Sequence, residues 1–178
     1  MRITGGFLKG RIIRVPSIDI RPAMDRMRES IFAVLSPYLQ GSSFLDLFSG
    51  SGIMAIEAIS RGAERVVCIE KDPRKRAILK QNLSLVGERA KLHIMPVERY
   101  LRFSREKPFH IVFLDPPFPY AYKSELLDLL ASSSMIQDGT IVLIHYPKEE
   151  SLPDQIGSLR LTQTRPYGRS RVSFYRVS

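Results

Sequence analysis

The chain has 178 residues, 44% of them hydrophobic and 25% charged, the proportions of one ordinary globular domain with a core of its own. They exclude a collagen-like, coiled-coil or disordered chain, and the single cysteine, Cys68, excludes an internal disulfide. Against 18 acidic residues stand 27 basic ones, a net charge of +9 that points to an anionic partner.

The excess sits at the ends. Residues 1–40 carry seven basic and three acidic side chains, residues 158–178 carry five arginines and no acid, and the stretch between balances at fifteen of each. A neutral middle with basic flanks is the pattern of a scaffold presenting a polyanion-binding surface. The flanking arginines are interleaved with Ile12, Ile13, Val15, Val172, Phe174 and Tyr175, a strand-like composition that places them on ordered backbone able to track phosphates. No apolar run nears the roughly 18 residues of a membrane span. The opening Met1–Gly6 has no apolar signal core, and three scattered histidines with one cysteine do not make a structural zinc site. The expectation is a reduced, cytoplasmic protein without membrane or metal.

In chain order, residues 2–15 read as a small ribbon with turns at Gly5-Gly6 and Gly10. Arg21-Pro22 is an extended joint. Asp25 then opens a helix whose apolar positions Met27, Ile31, Val34 and Leu35 recur up to Pro37. From residue 43 short apolar runs (44–48, 66–69, 92–94, 111–114, 141–144) alternate with amphipathic stretches (52–61, 73–86, 97–104, 121–133). That alternation predicts βαβ units and a parallel sheet covered on both faces. Cys68, inside the run Val66–Ile69, reads as a core residue. Two last strands, about 157–164 and 171–177, joined by the turn Pro166-Tyr167-Gly168, predict an antiparallel hairpin at the sheet edge.

Two motifs carry chemistry. In the first, an apolar strand, Phe44 to Phe48, runs through Ser49-Gly50-Ser51-Gly52 into a helix, so that glycines bring backbone amides close to a ligand. Gly50-Ser51-Gly52-Ile53-Met54-Ala55 fits the dinucleotide fingerprint. Glu70, 24 residues after Asp46 at the end of the next strand, can accept both hydroxyls of a ribose. Asp46 selects among nucleoside ligands: a carboxylate facing the loop repels a pyrophosphate and attracts the ammonium and sulfonium of S-adenosylmethionine. In the second motif, Ile111 to Leu114 ends in Asp115-Pro116-Pro117-Phe118. The prolines donate no hydrogen bond and hold the backbone extended, the carbonyl between them and Asp115 offer two acceptors for an amine, and Phe118 offers a flat face for a stacked base. A nucleobase amine is a poor nucleophile because its lone pair is delocalised. Two acceptors that draw its hydrogens aside favour a pyramidal nitrogen aimed at a methyl donor.

Together these residues resemble the class I S-adenosylmethionine-dependent amino-methyltransferases. Met1 to Gly6, Lys9-Gly10-Arg11, Arg21 to Glu29, Ile56 to Ala63 and Tyr167-Gly168 narrow the resemblance to the bacterial family that methylates guanine N2 in small-subunit 16S ribosomal RNA. It covers almost the whole chain. The resemblance implies a Rossmann-like, mostly parallel sheet over residues 41–178 and an RNA-binding extension, residues 1–40, packed on it. The implied cofactor contacts are Asp46, Phe48, Ser49, Gly50, Gly52, Glu70, Lys71 and Val97, with Asp115, Pro116, Pro117 and Phe118 catalytic. Lys9, Arg11, Arg21, Arg26, Arg28 and Arg169 are the expected RNA contacts, and a small-subunit ribosomal particle the expected partner. The chain departs from the family at Phe118, where Tyr is usual, at Ala23-Met24, where Thr-Thr is usual, and at His145, where Glu is common; His145 therefore reads as structural. A DNA or RNA adenine-N6 or cytosine-N4 methyltransferase, a non-catalytic RNA-binding assembly factor and an NAD-dependent oxidoreductase are the alternatives.

Overall fold

The five apolar runs become the strands of a parallel sheet, four of them largely buried and β3 only half-buried at its edge, because each is flanked by chain that can return as helix. In the computed structural model, which describes residues 1–16 and 23–178, helix α1 (Ala23–Leu39) leads into β1 (Ser43–Asp46), α2 (Ile53–Ser60), β2 (Arg65–Glu70), α3 (Arg76–Leu83), β3 (Ala90–Ile94), α4 (Val97–Phe103), β4 (Ile111–Leu114), α5 (Lys123–Ala131) and β5 (Ile141–Pro147). Three further strands, β6 (Gln155–Ile156), β7 (Leu159–Tyr167) and β8 (Ser170–Val177), complete one eight-stranded sheet in the order β3-β2-β1-β4-β5-β8-β7-β6. The first five are parallel; β8 and β7 add antiparallel at the edge, and β6 pairs with β7. The expected mixed α/β sheet with its C-terminal hairpin is therefore present.

Strand alternation divides the core. Phe44, Cys68 and Phe113 face one helical layer with α1 and α2, and Leu45, Val67 and Val112 face the other with α4 and α5. Asp46 pairs in register with Cys68 and Phe113, so it points to the first layer. Cys68 is fully buried, as expected.

The boundaries differ in three places. Helix α1 runs two residues past Pro37: the missing amide costs one bond, and Leu39 is buried in return. The stretch 73–86 is a turn of tighter helix, Pro73–Lys75, capped by the Asp72 side chain, followed by the shorter α3. Strand β7 is longer than expected and irregular between Leu161 and Gln163.

The N-terminal ribbon is narrow, with one bridge between Arg2 and Ile12. It is tied down by Glu57, which is fully buried and the only charged residue of α2. The Glu57 carboxylate accepts from the Thr4 amide, the Thr4 hydroxyl and the Gly5 amide at 2.7–3.1 Å, and from Arg28 and Arg61 at 3.1 Å each. Ile3 and Ile13 enter the same core cluster as α1 and α2. Gly6 must be glycine, since its φ is +74° and a Cβ would lie 1.7 Å from the Ser60 carbonyl. Residues 1–16 and α1 thus share the core of the sheet.

Candidate active site

Ligands in open α/β sheets bind beyond the carboxyl ends of the strands, where the strand order reverses. Here the reversal lies between β1 and β4, and a cavity of about 600 Å³ opens there. The walls come from the carboxyl-end halves of the strands and the loops that follow them: Phe48 and Gly50 after β1, Glu70 and Lys71 at the end of β2, Val97 after β3, and Asp115 to Phe118 after β4, with His145 from within β5. A smaller cavity of about 100 Å³ adjoins it through Phe48, Gly50 and Asp115, and is lined also by Ser49, Met1, Met27 and Met54.

The glycine turn is built as its sequence requires. Gly50 has φ +55° with nothing within 4 Å of a would-be Cβ, so its Cα side is open toward the cavity. Gly52, also expected at the cofactor, lines neither cavity. Its φ is +82°, its amide donates to the Ser49 carbonyl at 2.7 Å, and a Cβ would meet the Leu79 side chain at 3.2 Å. Its role is to shape the turn and pack on α3. Ser49 donates its hydroxyl proton to the Asp46 carbonyl at 3.0 Å.

Three carboxylates converge on this turn. Glu70 is buried and lines the larger cavity. One of its oxygens accepts from the Gly50 amide and the other from the Asp72 amide, each at 3.0 Å, which leaves lone pairs for ligand hydroxyls. Lys75 lies 3.7 Å away. Asp46 lies behind the cavity wall, fully buried, and neither carboxylate oxygen has a hydrogen-bond partner among the described residues. Burial, then the charge of Asp115, pushes its carboxyl up to about 8; Glu70 adds to the rise, and the nearby Phe48 amide and Ser49 hydroxyl oppose it. A buried acid in that state lacks a counter-cation. The carboxylates do not form a metal cluster: among the described residues no group of three or more His, Cys, Asp or Glu side chains is placed to hold a metal ion.

Asp115 is the partly exposed member. Its Oδ1 accepts from His145 Nδ1 at 2.8 Å, and its Oδ2 carries no hydrogen bond among the described residues. Phe118 stands edge-on to the His145 ring with centroids 5.3 Å apart. The loop after Phe118 is held by Lys123, a buried lysine whose three protons meet three acceptors: the carbonyls of Phe118 and Tyr120 at 3.2 and 2.6 Å and Glu150 at 3.0 Å. The Tyr120 hydroxyl donates to Glu98 at 2.6 Å, and both line the cavity; burial and then Glu98 hold that hydroxyl protonated well above its usual range. Sequence reasoning missed Tyr120 and Lys123, reached Glu98 only as part of the loop 95–98, and read His145 as structural. Tyr120 was signalled only by lying two residues beyond Phe118 in one aromatic run.

The expected RNA contacts divide. Lys9, Arg11, Arg26 and Arg169 are exposed. Arg28 is not: it is 1% exposed and bonded to Glu57, Asp25 and the Arg2 carbonyl. Its guanidinium is spent inside the protein, so the expectation that it contacts RNA is corrected. Arg21 lies outside the described residues, as do the side chains of Ala23 and Met24.

A family model described as conserved hypothetical protein 95 matches residues 1–176. Ribosomal RNA small subunit methyltransferase D of Escherichia coli strain K12 is 32% identical over 177 residues, covering 98% of this chain and 89% of that protein. The chain belongs to this family. Its relative YlbH of Bacillus subtilis is 34% identical, covering 99% of this chain and 98% of its own. Among solved structures, the yhhF protein of Escherichia coli superposes with a TM-score of 0.88 at 30% identity, over 100% of this chain and 98% of that one. The family resemblance and the class I methyltransferase fold expected from the two motifs are thereby established. A more distant structure, SMU.776 complexed with SAH, shares the fold alone, with a TM-score of 0.69 at 15% identity over 89% of this chain and 50% of that one.

Proposed function

We propose that the protein transfers a methyl group from S-adenosylmethionine to the exocyclic N2 amine of a guanine in small-subunit 16S ribosomal RNA. The observation that carries this reading is one cavity lined by Glu70 and by Asp115-Pro116-Pro117-Phe118, with the buried Asp46 behind its wall and close enough to feel the charges of both acids. The family's named members, methyltransferases of small-subunit ribosomal RNA, support the substrate class.

The residues fit the cofactor. Asp46 is a buried acid with two orphaned oxygens, a fit for the cationic end of S-adenosylmethionine. Glu70 keeps acceptor capacity for ribose hydroxyls, and Val97, buried at the cavity wall, is an apolar surface for adenine. Phe48, Gly50 and Lys71 complete the wall, and Ser49 lines the adjoining cavity. When bound, the cofactor supplies an electrophilic methyl group on a sulfonium. Asp115 and the Pro116 carbonyl accept the amine's two hydrogens and direct its lone pair. Phe118 stacks the base, and the methylated nitrogen then releases one proton to Asp115 or water. Position and electrostatics supply the rate, without a strong base. The exposed Lys9, Arg11, Arg26 and Arg169 bind phosphates around the mouth, with a small-subunit particle in the cytoplasm as the substrate. No helix among the described residues is long and apolar enough to cross a membrane.

The test is methylation of small-subunit particles from a strain lacking the enzyme, using labelled S-adenosylmethionine, followed by nucleoside mass analysis. N2-methylguanosine is the expected product. N6-methyladenosine would replace the substrate assignment, and absence of any methylated nucleoside would favour an assembly factor.

A further inference from the structure

The end of β5 holds a buried titratable side chain that the proposed chemistry does not use. His145 is 6% exposed, yet both ring nitrogens are engaged and its ring lines the larger cavity. Nδ1 lies 2.8 Å from Asp115 Oδ1, and Nε2 lies 2.7 Å from the Ser170 hydroxyl. The Ser170 hydroxyl is also 3.1 Å from the Tyr167 carbonyl.

Proton counting fixes the ring. Ser170 has one proton and two acceptors. If it donates to Nε2, the imidazole is neutral with its proton on Nδ1. If it donates to the Tyr167 carbonyl, Nε2 must donate to Ser170. An ionised Asp115 can only accept, so Nδ1 must carry a proton as well. In both arrangements Nδ1–H donates to Asp115 Oδ1. The carboxylate is therefore held by one oxygen, and Oδ2 is left for the substrate amine. The same ring sets its neighbour: Phe118 stands edge-on to it at 63°. The amine acceptor Asp115 and the base-stacking Phe118 are thus both in contact with one histidine, which is fixed from behind by Ser170, on the strand that pairs antiparallel with β5.

We infer that His145 is a positioning residue for methyl transfer, anchored by Ser170, that orients Asp115 through Nδ1–H and thereby presents Asp115 Oδ2 to the target amine. The inference rests on the function proposed above and adds to it a specific three-residue chain, Ser170–His145–Asp115.

Three variants separate the chain from simple packing. His145→Phe keeps a ring against Phe118 and removes the donor; His145→Asn keeps an amide donor near the place of Nδ1 and removes the ring; Asp115→Ala removes the acceptor. Single-turnover methyl transfer to small-subunit particles, at saturating cofactor and particle, should fall on the order of 10²-fold in His145→Phe, the loss that misplacing a reacting group produces. The affinities for cofactor and particle should stay within about twofold of the parent. His145→Asn should recover at least about tenfold of that loss. The double variant His145→Phe/Asp115→Ala should be no slower than Asp115→Ala alone, because His145 acts through Asp115. A parental rate in His145→Phe, no recovery in His145→Asn, or additive losses in the double variant would each overturn the inference.

A readout free of catalysis accompanies these rates. In protein labelled with ¹⁵N-histidine, the His145 Nδ1 proton should be visible and slow to exchange in the parent and lost in Asp115→Ala. A ring without a proton on Nδ1 would overturn the inference even if the rates agreed. If the parent protein methylates no RNA at all, the proposed function fails, and the spectrum alone then decides whether the anchored chain exists.

Discussion

Asp46 shows how much one side chain can contribute when it is buried without a partner. Its carboxyl is pushed from 3.8 up to about 8, first by burial and then by Asp115. Between those values the folded protein binds a proton that the unfolded chain has released. Stability contributed by this group is therefore greatest at low pH, falls as pH rises through that window, and levels off above about 8. Asp46→Asn removes the penalty, so its stability relative to the parent should grow between pH 5 and pH 8, as read from urea midpoints of the cofactor-free proteins. The same acid should lose its proton when a cation arrives beside it. Calorimetric titration with S-adenosylmethionine at pH 7 should release protons from the parent and fewer from Asp46→Asn, which should also bind more weakly; equal proton release would place the cationic end of the cofactor elsewhere. Glu70→Ala should weaken the same binding by about 1–3 kcal/mol, the cost of losing a charged acceptor, while unchanged affinity would remove Glu70 from the ribose. Phe118→Ala should cost about 1–3 kcal/mol in binding of the target, the worth of one stacked base, whereas Phe118→Tyr, which keeps the ring face, should be mild.

Legibility at this scale followed from chemistry that is local in sequence. Asp46, Glu70 and Asp115 could be read because each belongs to an apolar strand run, Asp46 four residues before Gly50, Glu70 at the end of the next run and Asp115 before two prolines, and strand ends are where parallel sheets bind ligands. His145 lies near the end of β5, but its meaning depends on Ser170 and Asp115, 25 and 30 positions away, and no local pattern reports such a meeting. Gly52 was legible as a glycine with positive φ, but its packing on Leu79 was not, because that neighbour comes from another helix.

Among the elements, α1 carries the clearest lesson. Arg28 lies three residues before Ile31 and four before Phe32, on the stripe continued by Leu35 and Leu39, all buried. The helical spacing thus already assigned position 28 to the buried face, against the expectation that its charge meets RNA. The partner was signalled too, since Glu57 is the only charged residue in the apolar helix Ile53–Ser60 and a charge so placed requires an opposite one. Their contact clamps the first ribbon, α1 and α2 together. Breaking a buried pair by removing one partner costs about 3–5 kcal/mol. Arg28→Ala should lose stability of that size in urea unfolding, and a loss below about 1 kcal/mol would show that Arg61 alone holds Glu57. The helix 73–86 was misjudged for a different reason. Asp72-Pro73 starts a tight turn that its side chain caps at 3.0 Å, and the apolar periodicity does not distinguish that turn from α-helix.

At the scale of the whole molecule, the fold brings together the two basic ends that the sequence separates. The Ser30 hydroxyl of α1 lies 2.7 Å from the hydroxyl of Tyr167, the last residue of β7 before its turn into β8, and Arg176 of β8 stacks over Tyr38 of α1 at 5.4 Å. That turn leads into Ser170, which pairs with Pro147 at the carboxyl end of β5, two residues beyond His145. The first helix and the last hairpin, both from the basic ends, thus lie side by side, while the neutral middle builds the walls of the larger cavity, and the RNA-binding rim proposed above draws on both ends. A polyanion held by such a rim releases counterions, and the logarithm of its affinity falls linearly with the logarithm of salt concentration. Removing one exposed arginine that touches a phosphate should flatten that slope by about 0.7–0.9, with cofactor affinity unchanged. Arg26 and Arg28 make a sharp comparison because they lie two residues apart on α1, one exposed and the other 1% exposed. Arg26→Ala should flatten the slope for small-subunit RNA. Arg28→Ala, measured at a temperature where it remains folded, should leave it unchanged, since its charge is already neutralised by Glu57 at 3.1 Å. The same measurement on Lys9→Ala, Arg11→Ala and Arg169→Ala maps the rest of the rim. An unchanged slope in Arg26→Ala would take α1 off the RNA, and a flattened slope in Arg28→Ala would show that the ion pair opens when RNA binds.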